Sequence, residues 1–271
     1  MRGLFTAGVM DVMLENDIKF DAAIGVSAGA AFGCNYKSKQ IGRVLRYAKR
    51  FCNYWRFCSF RSWFVTGDVF GAQFCYYDIP LKHDIFDEET YRANPMDFIV
   101  VATDINTGEA VYHNMKTCTD VDMEWLRSSA SQPVFSRPVK IGNSLYLDGG
   151  MKDSIPLEYM HRNGYEKNIV IVTQPDGFVK KQMKVLPLIK LFTLKYPEIG
   201  KAMEERPSMY NRQTAYVKEC EEKGDTLVIR PDAPLNLKSM VHDPDELQRV
   251  YDLGREVATR RLGEIKQFMG V

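Results

Sequence analysis

The chain has 271 residues, 45% of them hydrophobic, which is enough apolar material for a sizeable core in one large domain or two small ones. Lys and Arg number 36 against 35 for Asp and Glu, and a formal net charge of +1 gives no field that would draw in nucleic acid, so nucleic acid is not expected as a partner. No run approaches the roughly 18 apolar residues of a membrane span, so any membrane contact should be peripheral.

Residues 4 to 16 place Leu4, Val9, Val12 and Met13 at near-helical spacing, and "KFDAAIG" then reads as a short buried strand ending at Gly25. A helix should start at Ser27. "MDFIVVATD" (96–104) and "EAVYHN" (109–114) read as strands around a turn at Asn106-Thr107-Gly108, and "SLYLDGG" (144–150) and "NIVIVTQP" (168–175) add two more. Helical patterns lie between them in "DMEWLRSSAS" and in "PLEYMHRNG", which has Pro156 near its first turn and Gly164 as a stop. The last third adds helices around "VLPLIKLFTLKYP" and "MYNRQTAYVKECEEKG", a strand "TLVIRP" (226–231) and a long terminal helix from about Pro244.

Strands alternating with helices predict an α/β fold whose central sheet is mostly parallel and covered on both faces. No repeat, low-complexity tract or Pro/Gly/Ser-rich linker splits the chain. One domain over residues 1–235 is expected, with a helical appendage over 236–271.

"FDAAIGVSAGAAFG" (20–33) carries the first chemical signal. A strand-to-helix turn holds its central residue in a strained conformation, and Gly25 and Gly29 on either side relieve crowding so that the Ser27 hydroxyl projects into a cleft. The helix that follows aims free N–H groups and its positive end at the same spot, which favours negative charge on a carbonyl oxygen. Ser27 is the candidate nucleophile.

A serine needs a group to take its proton, most often histidine. His83, His113, His161 and His242 are available; the pattern suggests no acidic orienter for His113 or His161, and each of the four reads more simply as a surface or structural histidine. Only 26 residues precede Ser27, too few for the strands that come before the serine turn of an α/β-hydrolase. The remaining candidate is Asp148, which an apolar strand delivers onto Gly149-Gly150, two residues that allow close approach to another loop. Asp-Gly-Gly is equally a plain turn signal.

The residues then match a known pattern. "GVSAG" near the N-terminus, "SSASQPVFSRPVKIGNSLYLDGG" (128–150) and "DSIPL" (153–157) resemble the patatin-like phospholipase family over roughly residues 1 to 175, and the rest resembles the C-terminal region of a bacterial branch. The resemblance implies a three-layer patatin-like fold rather than an α/β-hydrolase. It also implies a Ser27-Asp148 dyad that cleaves lipid acyl esters through an acyl-enzyme, with no cofactor and no metal. Members carry a glycine-rich loop whose N–H groups complete the oxyanion hole. Arg2 and Gly3 match its end, Ala28 would supply a further donor, and the leading glycines and first strand are not in this sequence, as if the start were truncated. A non-catalytic lipid-binding or regulatory protein on the same scaffold is the alternative.

Residues 50–77 hold eleven aromatics interleaved with Arg50, Arg56 and Arg61, a composition suited either to a membrane interface, as a lid or acyl-binding wall, or to core beneath a helical cap. Six cysteines without a C-x-x-C pair read as free thiols in a reducing compartment. With no signal-peptide pattern at the start, the expected location is the cytoplasm, peripheral to the inner face of the membrane.

Overall fold

In the computed structural model, which describes residues 1–237 and 240–271, the elements run in chain order as follows. α1 (Gly3–Glu15), β1 (Ala22–Val26), α2 (Ala28–Lys37), α3 (Arg43–Phe51) and α4 (Phe60–Thr66) lead to a π-helical segment (Phe74–His83) and α5 (Glu88–Ala93). β2 (Asp97–Asp104), β3 (Ala110–Asn114), α6 (Asp120–Ser129), β4 (Val139–Ile141) and β5 (Ser144–Asp148) precede a 3-10 turn (Gly149–Met151). α7 (Leu157–Arg162), β6 (Asn168–Ile171), α8 (Leu186–Phe192), α9 (Pro197–Lys223), β7 (Thr226–Ile229), α10 (Pro244–Arg260) and α11 (Leu262–Met269) complete the chain. Lys238 and Ser239, within the expected 236–271 appendage, lie outside the described residues.

β2 organises the central sheet. Its apolar run Phe98-Ile99-Val100-Val101-Ala102 is buried, as befits a strand covered on both faces. β1 lies parallel to its first half, with Val26 opposite Val101. β5 lies antiparallel to its second half, with Asp148 opposite Ala102. β3 pairs with Ile99 to Thr103 and so overlaps both partners. A strand has two edges, so β3 must take one while β1 and β5 share the other, meeting end to end at adjacent register positions. The last residue of β1 and the last residue of β5 therefore face one another.

The α/β class and the helix-flanked sheet are as the sequence predicts. The strand pairing is mixed where a mostly parallel sheet was expected: β1–β2 and β6–β7 are parallel, while β2–β3, β2–β5 and β4–β5 are antiparallel. The short connections around Gly108 and Gly142 dictate the antiparallel β2–β3 and β4–β5 pairs, because a parallel crossover needs a dozen or more residues. β6 and β7 form their own two-stranded sheet.

α2 and α6 cover one face of the central sheet, where Ala30, Cys34, Trp125 and Leu126 pack on Phe98, Val100 and Ala102. α8 and α9 pack Ile189, Ile199, Ala202 and Met203 against Leu147 and Met151. α1 is apolar nearly all round and is buried accordingly, the signature of a core helix. Its partner is α10. A Cβ on Gly8 would sit 2.1 Å from the Tyr251 carbonyl oxygen, and one on Gly254 would sit 2.0 Å from that of Phe5, so the two backbones touch through facing glycines. Between them the buried Asp11 accepts from the Tyr251 hydroxyl at 2.6 Å and from the Gly42 N–H at 2.9 Å.

Candidate active site

Ser27 sits on the turn between β1 and α2 with φ +55° and ψ −121°. Positive φ in a residue with a Cβ is strained and persists only where the surroundings enforce it. Gly25 is part of that enforcement: a Cβ there would lie 2.6 Å from the Ala30 nitrogen and Cα, so the strand could not approach the helix so closely with any other residue. The Ser129 hydroxyl, in the last turn of α6, accepts the Ser27 N–H at 2.9 Å. Gly29 differs from the expectation that it relieves crowding, because a Cβ there would meet nothing within 4 Å.

The Ser27 hydroxyl donates to Asp148 Oδ2 at 2.7 Å. The 128–131 region holds both residues, since the Asp148 N–H donates to the Ser131 carbonyl at 2.8 Å. Asp148 Oδ1 accepts the Gly150 N–H at 2.8 Å, and its carbonyl accepts the Thr103 hydroxyl at 3.0 Å. Gly149 is obligatory for this approach, because a Cβ would fall 2.2 Å from the Val101 carbonyl oxygen. Burial raises the Asp148 pKa above its ordinary value; the Arg206 charge, the Ser27 and Gly150 bonds and the Lys180 charge pull the other way. The upward direction makes it a better proton acceptor than a solvated aspartate.

Gly3 begins α1 against the first turns of α2, its Cβ position 3.0 Å from the Ala28 Cβ and 2.8 Å from the Phe32 ring. Two helix N-termini thus meet beside Ser27, and the N–H groups of Gly3 and Ala28 have no acceptor among the described residues. Arg2 is the exposed residue preceding α1. Burial, and then the charges of Arg206 and Arg2, hold the Lys180 ammonium down at about 8. Arg206, on α9, anchors the glycine turn by donating Nε to the Gly150 carbonyl at 2.7 Å.

A family model described as patatin-like phospholipase matches residues 1–161. The chain belongs to the patatin-like phospholipase family. A second model, a domain of unknown function (DUF6363), matches residues 196–270 of this patatin-like chain. The uncharacterized protein YjjU of Escherichia coli (strain K12) is 30% identical over 196 residues, 65% of this chain and 50% of YjjU. Lysophospholipase NTE1 of Debaryomyces hansenii is 26% identical over 175 residues, 63% of this chain and 11% of that protein. The Saccharomyces cerevisiae NTE1 is 25% identical over 168 residues, 60% of this chain and 10% of its own length. The chain thus spans half or less of the length of each of these relatives.

In this patatin-like chain the four histidines are engaged elsewhere. His113 bonds Asp122 at 2.9 Å, His161 bonds the Tyr216 hydroxyl at 2.8 Å, His242 bonds the Cys52 carbonyl at 2.6 Å, and His83 packs against Phe51 and Phe74. "DSIPL" acts as scaffold: buried Asp153 accepts from Tyr112 and Gln213, each at 2.6 Å, and the Ser154 hydroxyl donates to the Gly150 carbonyl at 2.7 Å. The individual roles of Ser129, Arg206 and Lys180 were not read from sequence. Ser129 lies inside the "SSASQ" block, which marked the stretch but not the bond, and no local signal ties Arg206 to a turn 56 residues away.

A cavity of about 20 Å³ adjoins Asp148 and Arg206, walled by Phe135, Met151, Met183, Ile189 and Met203. It has room for about one water. The aromatic stretch divides: Phe51, Phe57 and Phe74 are core, while Phe60, Phe64 and Val65 of α4 are exposed. The Trp63 indole donates to the Val134 carbonyl at 2.8 Å, tying α4 to the loop that walls the cavity. Among the described residues, His161, Cys220 and Asp225 bring three potential ligand atoms within 4.8 Å of one another, with Tyr216 already bonded to the His161 ring. No helix among the described residues is long and apolar enough to cross a membrane.

Proposed function

We propose that this chain is a serine lipid acyl hydrolase acting on the carboxylic esters of phospholipids or lysophospholipids, with Ser27 as nucleophile and Asp148 as its base. The observation that carries the reading is the 2.7 Å hydrogen bond from the Ser27 hydroxyl, on a strained strand-to-helix turn, to a buried carboxylate. Family membership and the lysophospholipases among the relatives support the lipid ester as substrate.

In this mechanism Ser27 Oγ attacks the ester carbonyl carbon while its proton passes to Asp148 Oδ2. The N–H groups of Gly3 and Ala28, at two converging helix ends, hold the oxyanion, and Arg2 adds positive charge. Collapse breaks the bond to the leaving alcohol, which takes the proton from Asp148 and departs, leaving the acyl group on Ser27. Water, deprotonated by Asp148, then attacks the acyl-enzyme, and the fatty acid leaves as the proton returns to Ser27. Every step is assigned to protein groups and water.

Arg206 and Lys180 suit a headgroup phosphate beside the ester. Their neighbour, the methionine-lined cavity, is too small for an acyl chain as it stands, but unbranched methionines reshape at little cost to admit one. Exposed Phe60, Phe64 and Val65, within the 50–77 stretch, give α4 peripheral contact with the bilayer that presents the substrate.

The test is fatty-acid release from lysophosphatidylcholine and hydrolysis of a soluble p-nitrophenyl ester. Ser27→Ala should lower both by on the order of a thousandfold or more. Near-native rates in that variant would overturn the assignment.

A further inference from the structure

A second surface, outside the 50–77 stretch, has the chemistry of a bilayer contact. Leu188, Leu191 and Phe192 recur at i, i+3 and i+4, so α8 presents one apolar stripe. That stripe points outward: Leu191 is 61% exposed and Phe192 66%, and Leu194 just beyond is 73% exposed. Val185, the residue before α8 and three before Leu188, extends it on the N-terminal side. Patches of this kind on a soluble surface mark an interaction site.

The charge of the same segment identifies the partner. Lys181, Lys184, Lys190 and Lys195 flank the stripe, and no acidic residue lies between Asp176 and Glu198. Lys190 pairs with Glu204, whereas Lys181, Lys184 and Lys195 have no carboxylate within 4.0 Å among the described residues. A second copy docking by the same face would oppose lysine to lysine. Protein interfaces are poor in lysine, while leucine and phenylalanine flanked by lysines are the composition of a helix lying in an anionic lipid surface.

Position adds a third argument. Ile189, on the inner side of α8, walls the cavity beside Asp148 and Arg206. Phe135, from the loop to which α4 is tied, is a second wall of that cavity. A bilayer seated on α8 would thus lie one helix away from the cavity beside the candidate active site.

We propose that residues 178–196, centred on α8, dock onto an anionic bilayer surface. The face inserts its apolar stripe at the headgroup boundary and sets its lysines against acidic lipid. The proposal concerns a surface and does not depend on whether Ser27 turns over an ester.

The test is co-sedimentation of the full chain with vesicles of phosphatidylcholine alone or equimolar with phosphatidylglycerol. Binding is expected to the mixed vesicles, with at least tenfold weaker binding to neutral ones and loss on raising salt. Leu191→Asp with Phe192→Asp, and separately Lys181→Glu with Lys184→Glu and Lys195→Glu, should each lower the partition onto the mixed vesicles at least tenfold, leaving only what the α4 contact retains. All five positions are on the surface, and unchanged hydrolysis of a soluble p-nitrophenyl ester, or an unchanged melting curve should the chain prove inactive, verifies that the variants are folded. Equal vesicle binding by variants and parent would overturn the proposal, as would equal binding to neutral vesicles. Dimerisation that the apolar variants abolish, without vesicle binding, would instead make the face a protein interface and equally overturn it.

Discussion

Asp148 is a carboxylate in a place that disfavours charge. At 1% exposure it has little water to solvate it, and its pKa rises above 3.8 despite the bonds it accepts from Ser27 and Gly150. Two consequences follow with defined sign. If Asp148 is the base, the acid limb of kcat/KM should inflect above 3.8, and Arg206→Ala, by removing the largest compensating charge, should move that inflection to still higher pH while Arg206→Lys restores it. A pH profile unmoved by the alanine variant would remove Arg206 from any part in tuning the base. For stability, a carboxyl whose folded pKa exceeds its unfolded one binds its proton more tightly when folded. It therefore favours the fold at low pH and disfavours it increasingly as pH rises through the unfolded value to the folded one. Asp148→Asn, which keeps an acceptor for the Gly150 N–H and gains a donor toward Ser27, should therefore melt at or above the parent temperature at neutral pH, even as activity is lost.

At the scale of elements, the central sheet explains how residues 121 positions apart come together: two strands share one edge of β2 and end at adjacent registers. The Ser27–Asp148 contact was legible in the sequence because Ser27 follows one short apolar strand and Asp148 ends another, each punctuated by glycine. The shared edge was not, since periodicity identifies a strand and its faces but not its neighbours. Two of the antiparallel pairs follow from hairpin connections, and the turn residues at Gly108 were read correctly without that consequence being drawn. Helix contacts were similarly hidden. The α1–α10 pair depends on Gly8 and Gly254, which in a linear pattern look like weak points of two helices. Their role yields a prediction of opposite signs for one substitution. Gly254→Ala should destabilise by about 2 to 3 kcal/mol, because the added methyl meets the Phe5 carbonyl. Gly263→Ala in α11, with nothing within 4 Å, should stabilise by a few tenths to about 1 kcal/mol. Urea unfolding measures both, and a neutral Gly254→Ala would mean that the helices do not touch.

Across the whole molecule, the residues matched by the patatin model do not finish the site alone. The region matched by the second model supplies Arg206 to the Gly150 carbonyl and Gln213 to Asp153. It also supplies α10, which packs along α1, and α1 in turn sets Gly3 beside Ala28. Sequence reading placed the chemistry in the first part and treated residues 236–271 as an appendage; the packing gives α10 Leu247, Val250, Tyr251 and Val257 a share of the same core as Leu4, Val9 and Val12. Composition carried no sign of this, because the long-range partner of an apolar helix face is not written next to it in the chain.

The central claim is that Ser27 is an activated nucleophile and Asp148 is what activates it. Reaction of the full chain with a fluorophosphonate, followed by mass-spectrometric mapping of the adduct, tests it most directly. The account predicts near-stoichiometric modification of the peptide containing Ser27, absent in Ser27→Ala and slowed at least a hundredfold in a folded Asp148→Asn. Modification at another residue, or labelling of Asp148→Asn at the parent rate, would contradict it.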